Sequence, residues 1–178
     1  MNDARMIQPH LQKQLVSAIE RHADIHEIEI LLKSGAVAND SSVMQAVEEH
    51  AVGMGQPWGE ALFALPQVAD AWRLREIADQ AAYDLVDSLE QNDLDGVVAA
   101  LKEMADAGDD ANVDLGGGTM LGVAVQNQCD LKIIKVLISV GRADPLGFSS
   151  DAVEALDGVE DGPWKVGVQA LFRSGDVG

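Results

Sequence analysis

Two short apolar signatures alternate along this chain, and their order is the feature that most limits its possible folds. The first signature places an apolar residue three positions before a small residue, and a second apolar residue follows directly. Its copies begin at positions 15, 43, 85, 121 and 152, with a mean spacing of about 34 residues. The first copy is Leu15, Ala18 and Ile19. Residues three and four positions apart share one face of a helix, so each copy predicts an amphipathic helix.

The second signature places a β-branched residue three positions before a Leu, an apolar residue directly after that Leu, and a Gly three positions later. Its copies are Ile28, Leu31, Leu32 and Gly35; Ile134, Leu137, Ile138 and Gly141; and Val168, Leu171, Phe172 and Gly175. A weaker copy contains Val98, Leu101 and Gly108. The Gly residues suit left-handed caps at helix ends, because they have no Cβ to clash. Leu137 and Leu171 are predicted to be core residues.

The alternation of the two signatures predicts pairs of short helices that repeat along the chain. Aromatic residues make up only 4% of the sequence, and small apolar side chains suit closely packed helices better than a β-sandwich. A generic all-α bundle is the alternative. Such a bundle prefers longer antiparallel helices than these signatures predict.

Residues 112–145 carry one complete pair of signatures. Asp114, Gly117, Thr119, Leu121 and Ala124 follow the order of an ankyrin repeat's opening, and Ile134, Leu137, Ile138 and Gly141 follow the order of its close. The sequence therefore resembles the ankyrin-repeat family. It departs from the family at Met120, where Pro is usual, at Gly122, where His is usual, and at Arg142, which interrupts the usual Gly-Ala-Asp ending.

This resemblance implies an all-α, ankyrin-like α-solenoid of about five stacked helix pairs, forming a single repeat domain over residues 1–178. It also implies that the finger loops and first helices bind another protein. The second repeat is irregular, because residues 51–82 form an insertion that contains Pro57, Trp58, Pro66 and Trp72. Pro57 is predicted to begin a helix that Pro66 ends, and residues 69–82 to form a further helix. Trp58 and Trp72 either fill the irregular stack or anchor a partner.

Charge limits the partner. Thirty acidic and twelve basic residues give a net charge of −18, so a basic face that binds phosphates is excluded and no direct nucleic-acid binding is expected. Residues 76–114 hold twelve acids and one base, Lys102. This charge either keeps the chain soluble or attracts a protein partner with a basic surface. In a third interpretation the chain is a DNA mimic, which requires carboxylates ordered like phosphates.

The candidate partner-binding residues combine these arguments. Asp84, Asp87 and Gln91 are expected to face outward, because Leu85, Ser88 and Leu89 take the buried side of the same helix. The ankyrin resemblance adds Leu115, Gln126 and Asn127 as exposed positions of the fourth repeat, flanked by Asp109, Asp110 and Asp114. Trp58 and Trp72 complete the set.

No catalytic, cofactor or metal site is predicted. His22 and His26 have the spacing of a helical metal pair, but the repeat pattern places residues 21–26 in a loop. Asp110, Asn112 and Asp114 alternate as in a calcium loop, yet the positions of its Gly and Glu are occupied by leucines. Cys129 is the only cysteine and lacks a basic neighbour in sequence. These observations favour a protein that is not an enzyme.

No stretch reaches the roughly 18 uncharged apolar residues of a membrane span, and the first residues lack the apolar run of a signal peptide. We therefore expect a cytoplasmic protein that does not bind membranes. The predicted function is a protein-binding module, an inhibitor or immunity-type antagonist that captures a basic protein. The alternative is an acidic DNA mimic that competes for a nucleic-acid-binding site. A small enzyme or metal protein, with converging His22 and His26, is the third hypothesis.

Overall fold

Ten helices form the fold that the computed structural model describes, over residues 9–52, 57–112, 118–144 and 150–174. They are α1 (Pro9–Glu20), α2 (Ile25–Lys33), α3 (Ser41–Ala51), α4 (Pro57–Phe63), α5 (Pro66–Glu90), α6 (Leu94–Ala107), α7 (Met120–Gln126), α8 (Leu131–Ser139), α9 (Ser150–Asp157) and α10 (Pro163–Ser174). Within these described ranges no strand is present. The prediction of an all-α fold is confirmed.

Four of the helices are capped at their N-terminus by an aspartate. The carboxylates of Asp24, Asp40, Asp93 and Asp130 accept hydrogen bonds from the backbone N–H groups two residues later, at 2.8, 3.1, 3.1 and 3.0 Å. Each bond satisfies a backbone donor that has no partner within the helix, and such a cap stabilises a helix by about 1 kcal/mol. These four acids are therefore structural and are set apart from the acids that could bind a partner.

Contacts divide the chain into two compact units, Met1–Leu74 and Arg75–Gly178. The boundary falls within α5. Early residues of this helix, Val68 and Ala71, belong to the first core, whereas Ala81, Leu85 and Leu89 belong to the second. The single domain over residues 1–178 stays a prediction.

The first unit is built around α1 and α3. Helix α1 contacts α2 and α3, and α4 contacts α2 and α3. Both copies of the first signature in this unit are buried: Leu15, Ala18 and Ile19 on α1, and Val43, Ala46 and Val47 on α3. The apolar spacing in the sequence therefore identified the inward faces of both helices.

Part of this arrangement of neighbours recurs in the second unit. Helix α7 contacts α8 and α9, and α8 also contacts α6 and α10. First helices of successive pairs thus lie beside each other, as do second helices. The buried residues of the first signature here are Leu85, Leu89, Leu121, Ala124, Val125, Ala152 and Leu156. Leu137 is fully buried as predicted, whereas Leu171 is half-buried and its neighbour Phe172 is buried instead.

The glycines of the second signature serve two different purposes. Gly35 and Gly108 have φ angles of 111° and 89°, which confirms the predicted left-handed conformation. Gly141 is not left-handed; Arg142 is, with φ 56°. A Cβ on Gly141 would lie 2.9 Å from the Ala111 Cβ, so glycine is needed there for close packing. Gly175 lies outside the described residues.

The second helix of the insertion is longer than the sequence predicted. Helix α4 begins at Pro57, as predicted from the absent proline N–H, and ends at Phe63, before Pro66. Pro66 itself begins the next helix, which was not predicted. The helix predicted for residues 69–82 is, however, the middle of α5, which runs without interruption to Glu90. Residues 67–90 contain neither Gly nor Pro, so nothing in the backbone ends the helix earlier.

Candidate partner-binding surface

The second half of α5 has one buried and one exposed face. Ala81, Leu85 and Leu89 pack into the second core, which turns Asp84, Asp87 and Gln91 outward. Asp84 and Asp87 share one stripe of the helix, and Gln91 follows in the turn directly after Glu90. The Gln80 side chain donates a hydrogen bond of 2.9 Å to Asp84. The three side chains are accessible, and their contact with a partner stays a prediction.

Tyr83 lies beside this stripe and was missed by the sequence analysis. Its side chain is 60% exposed, although most large aromatic residues are buried or half-buried. Asp79 and Asp87 lie four positions before and after it, on the same helical face. Tyrosine is enriched among the residues that dominate protein interfaces. The sequence shows only that Tyr83 is the chain's single tyrosine and that acids surround it; its exposure follows from the inward direction of Ala81 and Ala82 in the structure.

Helix α6 presents further acids to solvent. Asp95, Glu103 and Asp106 are exposed, and Asp109 follows the left-handed cap at Gly108. Neither α5 nor α6 has a basic residue in its last turn. An acid near a helix C-terminus is unfavourable by about 0.3–1 kcal/mol, because it faces the negative end of the helix dipole. The charges of Asp106 and Asp109 therefore do not stabilise the helix that carries them.

The exposed acids of α5, α6 and the residues just after α6 include five near the end of α5 and the end of α6 that neither cap a helix nor form an ion pair among the described residues, and we call these five the acidic surface. They are Asp84, Asp87, Glu103, Asp106 and Asp109. By contrast, Asp79 pairs with Arg75 at 3.9 Å. Uncompensated carboxylates generate a field that extends from the protein at low salt.

The loop after α6 is fixed to the loop after α8 by Asn112. Its side-chain nitrogen donates to the Arg142 carbonyl, and its side-chain oxygen accepts from the Asp144 N–H, both at 3.0 Å. The Ala111 N–H donates to the Gly141 carbonyl at 2.8 Å. Backbone and side chain together therefore hold the two loops in register.

The acids that were predicted to flank the finger differ in their surroundings. Asp109 is exposed and accepts a hydrogen bond of 2.9 Å from the Asp110 N–H. Asp110 is half-buried and accepts one of 3.0 Å from the Asn112 N–H. Asp114 and Leu115 lie outside the described residues.

A cavity of about 210 Å³ opens beside these two aspartates, where α6 and α8 end. Leu101, Ala105 and Val140 give it an apolar wall, and Arg142 adds a positive charge to the lining. The combination of apolar wall and carboxylate suits a long basic side chain, whose stem is apolar and whose head is charged.

Gln126 and Asn127 end the first helix of the next pair. Both side chains are exposed, and Asn127 caps α7 with its backbone N–H bonded to the carbonyls of Val123 and Val125. The neighbouring Gln128 has a φ of 49° and turns the chain toward α8. These two residues offer amide groups rather than charge, and their role in binding stays a prediction.

Trp58 and Trp72 both contribute to the core of the first unit. The Trp58 indole N–H donates a hydrogen bond of 2.7 Å to the Ala23 carbonyl, and its ring lies 4.7 Å from the His22 ring. The Trp72 ring packs edge-on against Phe63 at 5.3 Å. Both side chains are half-buried, so only part of each ring is available as the predicted partner anchor.

His22 and His26 are directed to different neighbours. The His22 ring packs against those of Trp58 and His50, whereas His26 lies in α2 and faces Glu29 at 3.6 Å. In the part of the chain that the structure describes, no three potential metal ligands are grouped. The two histidines do not form the pair required by the metal-protein hypothesis.

Cys129 is fully buried and its thiol donates a hydrogen bond of 3.1 Å to the Leu89 carbonyl. Burial raises the pKa of this thiol, because an apolar environment disfavours the thiolate. A nucleophilic cysteine needs the opposite shift. The environment of Cys129 therefore suits packing between helices.

No described helix combines the length and the apolar character needed to cross a membrane. Comparison with protein-family models, with curated proteins and with solved structures gives no match for this chain.

Proposed function

We propose that this chain is a protein-binding module of ankyrin-like stacked helix pairs, which captures a basic protein as an inhibitor or immunity-type antagonist. It binds its partner and does not act as an enzyme. The observation that supports this proposal most is the acidic surface, whose five carboxylates neither cap helices nor form ion pairs among the described residues. Charges that no base among the described residues neutralises are available for a partner.

The distribution of charge favours capture of a basic surface. Residues 76–114 have a net charge of −11. Such a field accelerates encounter with a basic protein and disfavours acidic ones. Tyr83 supplies an aromatic contact within the same region, and the cavity beside Asp109 accepts a Lys or Arg side chain. Charge therefore directs the encounter, and these two features hold the partner.

The first experiment compares two triple variants that change the net charge equally. The acidic-surface variant, Asp84→Asn, Asp87→Asn and Asp109→Asn, neutralises three of the five acids of the acidic surface. Glu20→Gln, Glu49→Gln and Asp70→Asn neutralise three exposed acids of the first unit. The partner is isolated by affinity capture on the wild-type protein, identified by mass spectrometry and purified, and its binding kinetics are measured by surface plasmon resonance.

We expect the acidic-surface variant to associate at least tenfold more slowly at about 50 mM salt, where electrostatic steering is strong, while the control stays within twofold of wild type. Raising salt to about 200 mM should reduce the difference. Equal kinetics for both variants would show that the charge serves solubility alone.

Tyr83→Ala tests the aromatic contact. The side chain is largely exposed, so the melting temperature should change little. Dissociation from the partner should become at least tenfold faster, since hot-spot residues contribute about 2 kcal/mol or more. Unchanged dissociation would place the binding centre elsewhere.

The DNA-mimic alternative is distinguished by competition. If the carboxylates imitate phosphates, duplex DNA should displace the chain from its partner, and the partner should bind DNA through the same surface. A partner that binds the chain and DNA simultaneously would leave the capture of a basic protein as the better account.

A further inference from the structure

An apolar groove of about 420 Å³ lies against α9 and α10 in the second unit. Its lining comprises Val153, Leu156, Asp157, Gln169, Phe172 and Arg173. Val153 is 41% exposed and forms an exposed apolar part of the lining. Leu156 and Phe172 form buried parts of the lining and belong to the second core.

The first unit contains the corresponding helices, and there the same face is closed. In the register of the first signature Val153 corresponds to Met44 of α3, which is only 3% exposed. Helix α10 begins with Pro163 and Trp164, as α4 begins with Pro57 and Trp58. The helices are therefore compared one by one: α9 lies 109 residues after α3 in the register of the first signature, and α10 lies 106 residues after α4.

The start of α5 adds buried residues to the core of the first unit. Val68 and Ala71 are 1% and 3% exposed in the first core, and Trp72 packs against Phe63 of α4 at 5.3 Å. These three residues have the spacing of one apolar stripe on a helix. In the second unit the residue equivalent to Phe63 is Gln169, which lines the open groove.

We propose that this groove binds an amphipathic helix of the basic partner, in the way that the first turns of α5 complete the first unit. This inference rests on the proposed function and names a second contact for the same partner. Helix-in-groove binding requires an apolar stripe on the incoming helix and complementary charge beside it. By analogy with Val68, Ala71 and Trp72 at the start of α5, the apolar stripe of the incoming helix consists of small or branched residues followed by an aromatic one.

Charge around the groove selects a basic helix. Residues 144–161 contain six acids and no Lys or Arg; of these, Asp151 accepts hydrogen bonds from Thr119, and Asp161 pairs with Lys165 at 3.3 Å. Glu154 and Asp157 are exposed on α9, and Asp157 lines the groove itself. Arg173 lies at the same groove from α10, so the incoming helix carries its Lys or Arg residues toward α9. An acidic helix would meet this rim unfavourably.

The test uses a fluorescein-labelled synthetic helix of about 18 residues, with Val, Ala and Trp spaced as Val68, Ala71 and Trp72 and Lys on its outer face. Fluorescence anisotropy measures its binding to the full chain at about 150 mM salt, where screening reduces non-specific attraction. Val153→Asp should weaken binding at least tenfold. Val166→Asp is the matched control on α10, because Val166 is 64% exposed and does not line the groove. Its affinity should stay within twofold of wild type.

Circular dichroism should show equal helicity and melting temperature for both variants, since both valines have large exposed fractions. A peptide of scrambled sequence and equal charge should bind at least tenfold more weakly than the ordered one. Equal binding to wild type and Val153→Asp would overturn the inference, as would equal weakening by Val166→Asp or by scrambling. Sedimentation equilibrium gives one more decisive outcome: a wild-type dimer that Val153→Asp dissociates would make a second copy the occupant.

The acidic-surface variant separates this inference from the proposed function. Its three substituted residues lie outside the groove lining. Its affinity for the synthetic helix should therefore stay within about threefold of wild type, the difference reflecting weakened long-range attraction. If the acidic-surface variant fails to bind the synthetic helix while Val153→Asp still binds it, the groove site is refuted and the acidic surface remains the binding site. If Val153→Asp no longer binds the synthetic helix while the acidic-surface variant still associates with the partner at the wild-type rate, the groove is supported as a binding site and the proposed function fails.

Discussion

The two units use a tryptophan in the same way, and the comparison shows that part of the first unit recurs in the second. Trp58 donates its indole N–H to the Ala23 carbonyl at 2.7 Å, and Trp164 donates to the Cys129 carbonyl at 2.8 Å. In both cases donor and acceptor are separated by 35 residues. The shared contact joins the loop of one helix pair to the second helix of the next.

The loops that contain Ala23 and Cys129 also have matching backbone conformations. His22 and Gln128 have φ angles of 51° and 49°, and the next helices are capped by Asp24 and Asp130. The matching positions lie 106 residues apart in the sequence: Leu15 and Leu121, Ala18 and Ala124, Ile28 and Ile134, Leu31 and Leu137, Gly35 and Gly141, Trp58 and Trp164. The same local sequence therefore produces the same turn, cap and hydrogen bond twice.

After the matching segment the two units differ. In the first unit α5 continues directly after α4 and adds Val68 and Ala71 to the core. In the second unit the face of α9 and α10 is an open groove beside Val153. A position with the same helical pattern is thus core in one unit and surface in the other, because the next element decides which side is covered.

The largest expected effect concerns Leu137 and its counterpart Leu31. Leu137 is fully buried, so Leu137→Ala should lower the free energy of unfolding by about 2–5 kcal/mol through lost contacts and a residual cavity. Leu31 is half-buried, and Leu31→Ala should cost about half as much or less. Urea unfolding followed by circular dichroism measures both. Equal costs would show that the two units bury this position alike.

An intermediate effect is expected from the two tryptophans. Phe cannot donate the hydrogen bond, so Trp58→Phe and Trp164→Phe should each cost about 1–3 kcal/mol by leaving a loop carbonyl without its donor. The two costs should agree within about 1 kcal/mol, the usual spread of such values. Thermal unfolding measured by calorimetry provides the comparison. A cost in only one unit would mean that the shared geometry has different energetic roles.

The smallest expected effect concerns the two residues whose carbonyls accept the tryptophan N–H groups, Ala23 and Cys129, because only Cys129 carries a thiol. Because burial raises the pKa of the Cys129 thiol, the folded state holds its proton more tightly than the unfolded state. This contribution is fully present below the unfolded thiol pKa of about 8.5 and is lost as pH rises through the folded value. Cys129→Ala introduces the residue of the first unit and should abolish that alkaline loss.

At neutral pH the same substitution should cost about 1 kcal/mol, since it removes one sulfur and its hydrogen bond to Leu89. Urea unfolding at pH 7 and pH 9.5 measures both effects, with Cys129→Ser as the control that keeps a hydrogen-bond donor. If wild type and Cys129→Ala lose the same amount of stability between pH 7 and pH 9.5, that loss comes from titratable groups other than the Cys129 thiol.

Several features could be predicted from the sequence because they depend on residues close together along the chain. The three- and four-residue spacing of Leu15, Ala18 and Ile19 identified an inward helical face, and Gly108 identified a left-handed helix end. The outward direction of Asp84 and Asp87 followed from the buried residues between them. A signal for the recurrence was also present, since a Pro-Trp pair begins both α4 and α10.

The exposed position of Tyr83 required the structure. Its neighbours Ala82 and Asp84 have opposite environments, so a shift of one residue in the helical register would reverse the prediction for Tyr83. The bond between Asn112 and the loop at Arg142 joins residues that are 30 positions apart. No local pattern of spacing specifies such a partner.

The sequence by itself determined the helical class, the inward faces marked by the first signature and the net charge of −18, because periodicity and composition are properties of the chain alone. Only the tertiary structure decided that Gly141 is required by a close approach to Ala111 while Arg142 takes the left-handed turn. It also decided that Met44 is core whereas Val153 borders an open groove. Burial depends on which distant element covers a face, and equal local sequences can meet different neighbours.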